Sequence, residues 1–221
     1  MICVISDTHG DYSRFSHKRI RSLKKEDYLF IAGDFGFVWD GSEKEGAVLR
    51  KIGSKKFTTL FITGSHDNPE LLEKYPETTL LGGRARALGG NLYMLMPGIF
   101  EIDGKSFIVC GGGQQEDPDS LNENPALART LPGEGELEGF KELISQKGNK
   151  ADFIITHEPP ASIAEFLNTD RKVPIMNRLN VYFDELKGTA AFGMWLFGRL
   201  HRNKAVPPKY MAVFDEPYII D

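Results

Sequence analysis

Cysteine is scarce in this sequence: 221 residues hold two thiols, Cys3 and Cys110, each inside an apolar run. That argues against a disulfide framework or a thiolate metal site, and both thiols are expected to pack as small free hydrophobes in a reducing compartment. An excess of positive charge is missing too. Lys and Arg number 27 against 31 Asp and Glu, a formal charge of −4, which disfavours long nucleic acids and anionic membrane surfaces because both want a basic face. No apolar run is long enough to span a membrane, and MICVISDTHG is already strand and loop with no basic leader ahead of it. The expectation is a cytoplasmic protein without a membrane partner.

What is present is a large apolar fraction, 41%, enough for one substantial core and a single domain over residues 1–221. Apolar runs bounded by turn residues recur as ICVIS, DYLFIAG, FTTLFITG, NLYMLM, IFEI, KSFIVCGG, ADFIITH, MWLFG and YMAVF, each with the length of a buried strand. Helical patterns lie between several of them. Leu179, Tyr182, Phe183 and Leu186 share one helical face, residues 134–147 carry Leu137, Phe140 and Ile144 on another, and Ser42 with Glu45 has the form of a capping box. Asn68 followed by Pro69 reads as a helix start. The early alternation of strand and helix predicts parallel strands, whereas NLYMLMPGIFEIDGKSFIVCGG reads as an antiparallel meander. The mixture points to an α/β fold of two sheets with helices outside. Residues 114–136 form the least regular stretch and are expected to be a long surface loop, with a mobile lid as the alternative.

The chemistry collects where strands end. ICVISDTHGD supplies Asp7 and His9, DYLFIAGDFG supplies Asp34, FTTLFITGSHD supplies Ser65, His66 and Asp67, ADFIITHEPP supplies His157, and MWLFGRLHR supplies Arg199 and His201. Each piece alone is commonplace, since an Asp in a loop usually caps a turn and a His at a strand end is usually structural. Five junctions in succession are different. Carboxylates and imidazoles converging on one rim are costly to desolvate unless a cation pairs with them, so the pattern points to a metal site.

This ordered set resembles the calcineurin-like metallophosphoesterases, whose blocks run D-x-H, G-D, G-N-H-[DE], an isolated His and G-H-x-H. The resemblance implies a four-layer α/β/β/α sandwich of two mixed sheets, a two-metal centre on one edge, and hydrolysis of phosphate mono- or diesters by a metal-activated water. Carried over residue by residue, Asp7, His9 and His201 hold the first metal and Asp34 bridges to the second. The second would add an Asn, His157 and a His, but this chain has Ser65 and Arg199 at those two positions. A serine hydroxyl is a weak ligand, and a guanidinium offers no lone pair and repels a divalent ion. The expectation is therefore one firmly held divalent transition metal (manganese, iron or zinc), with two as the alternative. Arg199 would stand in for the second charge and clamp phosphate. His66 is implied to meet the substrate's leaving oxygen, and Asp67 to orient it. The reading is a hydrolase acting on a small phosphorylated substrate; the alternative is a descendant with impaired or lost catalysis, serving as a ligand-binding or regulatory module.

Four further features are read conservatively. Gly111, Gly112 and Gly113 make a glycine turn ahead of an acidic loop containing Glu116 and Asp117, which could instead form an anion nest or lend a ligand to the second metal. Arg84 and Arg86 in GGRARALGG read as a charged connector. Glu158, next to His157, precedes a Pro-Pro pair that gives the strand a rigid exit. His17 is assigned no role.

Overall fold

A computed structural model describes residues 1–168 and 176–221. In chain order its strands are β1 (Ile2–Ile5), β2 (Tyr28–Ala32), β3 (Thr58–Ile62), β4 (Glu77–Leu80), β5 (Gly83–Gly89), β6 (Leu92–Leu95), β7 (Gly98–Ile102), β8 (Lys105–Cys110), β9 (Lys150–Thr156), β10 (Ala191–Phe197), β11 (Lys204–Val206), β12 (Tyr210–Ala212) and β13 (Tyr218–Ile220). The helices are α1 (Lys18–Ser22), α2 (Glu43–Gly53), α3 (Pro69–Leu72), α4 (Pro118–Glu123), α5 (Glu134–Gln146), α6 (Ala161–Leu167) and α7 (Arg178–Thr189). All nine apolar runs became strands.

The strands form two mixed sheets, ordered β13-β1-β2-β3-β6-β5-β4 and β11-β12-β10-β9-β8-β7. The period of two along each strand explains how they stack. In the first sheet Cys3, Ile5, Leu29, Ile31 and Phe61 face outward and pack with Ile20, Leu49, Ile52 and Leu72 of α1, α2 and α3. Their alternates Ile2, Val4, Phe30, Leu60 and Ile62 face inward, onto Phe100, Phe107, Val109, Ile155 and Leu196 of the second sheet. That sheet's other face, with Ile108, Ile154, Trp195 and Phe197, is covered by Phe140 and Ile144 of α5, Ile163 and Leu167 of α6, and Phe183 and Leu186 of α7. Three apolar layers thus separate four structural ones, the α/β/β/α sandwich. Both faces of the central parallel strands are buried, which is why they read as unbroken apolar runs.

Asn68 caps α3, its side chain accepting from the amides of Glu70 and Leu71. Ser42 likewise accepts from the Glu45 amide. Glu45 reaches back past the cap, to the amides of Trp39, Asp40 and Gly41, so the capping box is half formed and its acid ties down the loop ahead instead.

Three expectations are corrected. The meander is a single hairpin, β7 with β8, because β6 belongs to the other sheet, beside β3. Met96-Pro97 carries the chain between the sheets, and proline lacks the N–H that would extend a ladder. The segment GGRARALGG is a strand, β5, whose Arg84 and Arg86 pair with Glu77 of β4. Residues 114–136 are not one loop: α4 and a 3-10 turn at Pro125–Arg129 occupy much of the stretch before α5 begins. Among the described residues no helix is long and apolar enough to cross a membrane.

Candidate metal centre

Strands β1, β2 and β3 run parallel, as do β8, β9 and β10, so the carboxyl ends of each set share an edge. The amide of Gly112 donates to the carbonyl of Thr63 at 2.8 Å, joining the loop after β8 to the loop after β3 and bringing the two edges together. Ligand-type atoms of Asp7, His9, Asp34 and His201 lie within 4.8 Å of one another on this rim.

The backbone is bent to make them converge. Asp7, His9, Asp34, Arg199 and His201 all have positive φ, between +45° and +69°, a conformation costing roughly 1–3 kcal/mol for a residue with a side chain. Among the described residues only three other non-glycine positions share it, so the strain concentrates at the rim. Two glycines make room. A Cβ on Gly64 would fall on the Asp34 carboxylate, and one on Gly33 would fall on the His157 ring.

Asp34 is the hub. Its Oδ1 accepts from the His66 amide at 2.8 Å, its Oδ2 faces His66 Nδ1 at 2.8 Å, and the Ser65 hydroxyl donates to it at 3.3 Å. Burial by itself would raise its pKa, but His157 and His66 outweigh that and hold the carboxyl well below the usual range. Asp7 is the opposite case. It is 1% exposed, yet neither oxygen accepts a hydrogen bond; His201 Nε2 stands 3.3 Å from Oδ1 as a charge neighbour. A buried carboxylate left without donors calls for a cation. The Nε2 atoms of His9 and His201 approach to 3.0 Å, aimed at a common point. Burial, with His66 and His201 nearby, lowers the pKa of His9 and so favours the neutral, ligating imidazole. Contact with Asp7 raises His201. Two carboxylates and two imidazoles are a donor set suited to a divalent transition metal.

The other expected residues lie beside this cluster. His157 is fully buried and donates from Nδ1 to the Ala32 carbonyl at 3.1 Å, which places Nε2 3.5 Å from Asp34 Oδ1 and without a hydrogen bond. Arg199 Nη1 donates to Ser65 Oγ at 2.8 Å, and its Nη2 to the Gln114 carbonyl at 3.1 Å and Glu116 Oε1 at 3.2 Å. Its Nε lies 3.6 Å from Glu158 Oε1. The guanidinium therefore stands on the His157 side of Asp34 with three hydrogen bonds to protein groups and Glu158 as a charge neighbour. Asp67 does not orient His66. Its oxygens accept from the amides of Phe35, Gly36 and Gly64, stitching two rim loops together, while burial and the Asp34 charge push its carboxyl up to about 6. Asp34 holds the His66 ring instead, and that bond raises the His66 pKa.

Sequence reasoning underrated Glu158 and Glu116, both of which serve Arg199, and missed Asn177, Asn180 and Gln115. Asn177 and Asn180 donate to Glu158, and Gln115 Nε2 donates to the Ser65 carbonyl. Arg14 was missed as well: it donates to the carbonyls of Ser6, Asp7 and Phe214, pinning the first ligand loop. No periodicity marks these residues; Glu158, Asn177, Asn180 and Gln115 are distinguished by burial as polar side chains, Glu116 and Arg14 only by their contacts.

Comparison with solved structures returns distant likenesses. A protein of unknown function from Aquifex aeolicus is 18% identical, with 84% of this chain and 92% of that one covered and a TM-score of 0.36. Phosphopantetheinyl hydrolase from Mycobacterium tuberculosis is 16% identical over 96% and 89%, with a TM-score of 0.44. A putative 5'-nucleotidase from Staphylococcus aureus is 14% identical, covers 96% of this chain and 48% of its own length, and has a TM-score of 0.48. No curated protein sequence matches. The family model for calcineurin-like phosphoesterases matches residues 1–183, which include Asp7, His9, Asp34, His66 and His157. With a match over most of its length and the ligand cluster on the expected rim, the chain belongs to the calcineurin-like phosphoesterase family.

Proposed function

We propose that this protein hydrolyses small phosphate mono- or diesters with one firmly held divalent transition-metal ion, manganese, iron or zinc, at Asp7, His9, Asp34 and His201. The observation that carries the reading is the buried Asp7 carboxylate, left without a donor where three other ligand-type side chains converge. When bound, such an ion supplies Lewis-acid polarisation and a water of lowered pKa. The rest falls to the chain itself. Asp34 takes His66 Nδ1, so Nε2 is the nitrogen that can hand a proton to a leaving oxygen, and the raised pKa favours the proton-carrying form. Arg199 supplies a permanent positive charge beside Asp34, where a second cation would compete with it.

Elemental analysis after manganese loading, run with hydrolysis of p-nitrophenyl phosphate and bis(p-nitrophenyl) phosphate, tests this. The expected result is about one metal per chain with turnover. Two metals would mean that His157 and Ser65 complete a second site and Arg199 moves aside; no metal and no turnover would leave a ligand-binding module. Ser65→Asn with Arg199→His is expected to raise the stoichiometry to about two, and a stoichiometry that stays put would count against the ligand assignment.

A further inference from the structure

We propose that Glu116 is a displaceable stand-in for substrate on the Arg199 guanidinium, and that an incoming phosphoryl group takes its place there. The inference rests on the reading of this rim as a phosphoester site. A guanidinium fork recognises carboxylate and phosphate oxygens with the same donors. Two carboxylates share the fork of Arg199, and they are held very differently. Glu158 is buried and fixed by Asn177 Nδ2 at 3.0 Å, Asn180 Nδ2 at 3.3 Å and the Gln114 amide at 3.3 Å. The Glu116 carboxylate meets Arg199 Nη2 at 3.2 Å, has no second hydrogen bond among the described residues, and keeps 36% of its side chain exposed.

The surroundings let the side chain leave while the backbone stays. Gln115 Oε1 accepts from the amides of Glu116 and Asp117, and Gln115 Nε2 donates to the Ser65 carbonyl. The segment is thereby anchored beside the fork, and rotation of the Glu116 side chain frees one N–H of Nη2 while the other stays on the Gln114 carbonyl. A cavity of about 240 Å³ lined by Glu116 and Arg199, with Pro159, Leu200 and Arg202, gives room for that rotation and for the group that replaces it. Glu158 remains to hold the guanidinium in place. Glu116 therefore weakens binding of the phosphoryl group and of the phosphate product alike, which limits product inhibition.

Calorimetric binding of inorganic phosphate to the manganese-loaded protein tests the proposal. Glu116→Gln keeps the shape and removes the charge, and phosphate is expected to bind about five-fold more tightly. Asp119→Asn removes one charge from an exposed position in the same region, away from the fork, and is expected to leave phosphate affinity unchanged. Unchanged affinity in E116Q, or equal tightening in D119N, would overturn the proposal. Phosphate binding is read apart from turnover: tighter binding in E116Q without hydrolysis by the wild type keeps this inference and removes the hydrolase reading, whereas hydrolysis with unchanged phosphate affinity does the reverse.

Discussion

On one side of Asp34, Asp7, His9 and His201 crowd together around carboxylate oxygens that accept no hydrogen bond. On the other side, Ser65, Glu158 and Glu116 surround a guanidinium that meets each of them. Both regions gather negative charge at strand ends, and both need a cation. The first must take its cation from solution, so its occupancy follows the metal concentration and falls as its histidines protonate. The second carries its cation covalently, charged at every ordinary pH. His157 stands between them, its Nε2 unsatisfied and turned toward Asp34. Under the function proposed above, one half of this rim takes a metal and the other keeps an arginine that brings its own charge compensation.

The strongest way to break this contrast is Asp7→Asn, which keeps the shape and removes the charge. Thermal protection by manganese should disappear and turnover should fall at least ~100-fold. In chelator the variant should melt no lower than wild type, because an unpaired buried charge has gone; a lower melting temperature would mean that the fold does satisfy Asp7.

Arg199→Gln probes the other side. Removing the guanidinium strips Glu158 of its cation while Asn177 and Asn180 still donate to it, so urea denaturation should show a loss of about 2 kcal/mol, less than for a bare buried charge. Manganese uptake at the Asp7 cluster should persist. A loss under about 0.5 kcal/mol would show that the guanidinium does not stabilise this side.

The smallest effect calibrates both from outside the rim. Asp152 accepts from the Ser106 amide at 2.8 Å and the Ser106 hydroxyl at 2.9 Å, and these bonds hold its pKa below the ordinary value. A depressed carboxylate adds stability above its unfolded-state pKa and loses it as pH falls through the folded-state value. Asp152→Asn should therefore cost under about 0.5 kcal/mol at neutral pH, and the gap to wild type should close below the ordinary carboxylate range in denaturation at several pH values. A gap that persisted there would point to packing rather than charge.

Much of the frame was legible because the central strands are buried on both faces and end in ligand-type residues, as ICVISDTH and DYLFIAGD show. Asn68-Pro69 was legible because cap chemistry is local. β5 was not: GRARALG carries two arginines, has no clean apolar alternation, and owes its conformation to the ladders of β4 and β6. The crossing at Pro97 was missed because short spacing between strands does not say whether they share a sheet. Asp67 looked like a partner of His66 because it is adjacent in sequence, yet the fold turns its oxygens to three amides of the rim loops.

The sequence by itself determined which side chains stand at the strand ends, and with them that Asp7, His9, Asp34 and His201 share one rim with Ser65 and Arg199 beside them. Hydrophobic periodicity places strands, and a strand's end places the residues after it. Only the tertiary structure decided what Arg199 does, since Ser65, Glu116 and Glu158 lie 134, 83 and 41 residues from it in the chain. Those partners meet only when the two sheets stack, and the charge at that point is set by distances in space that no spacing along the chain encodes.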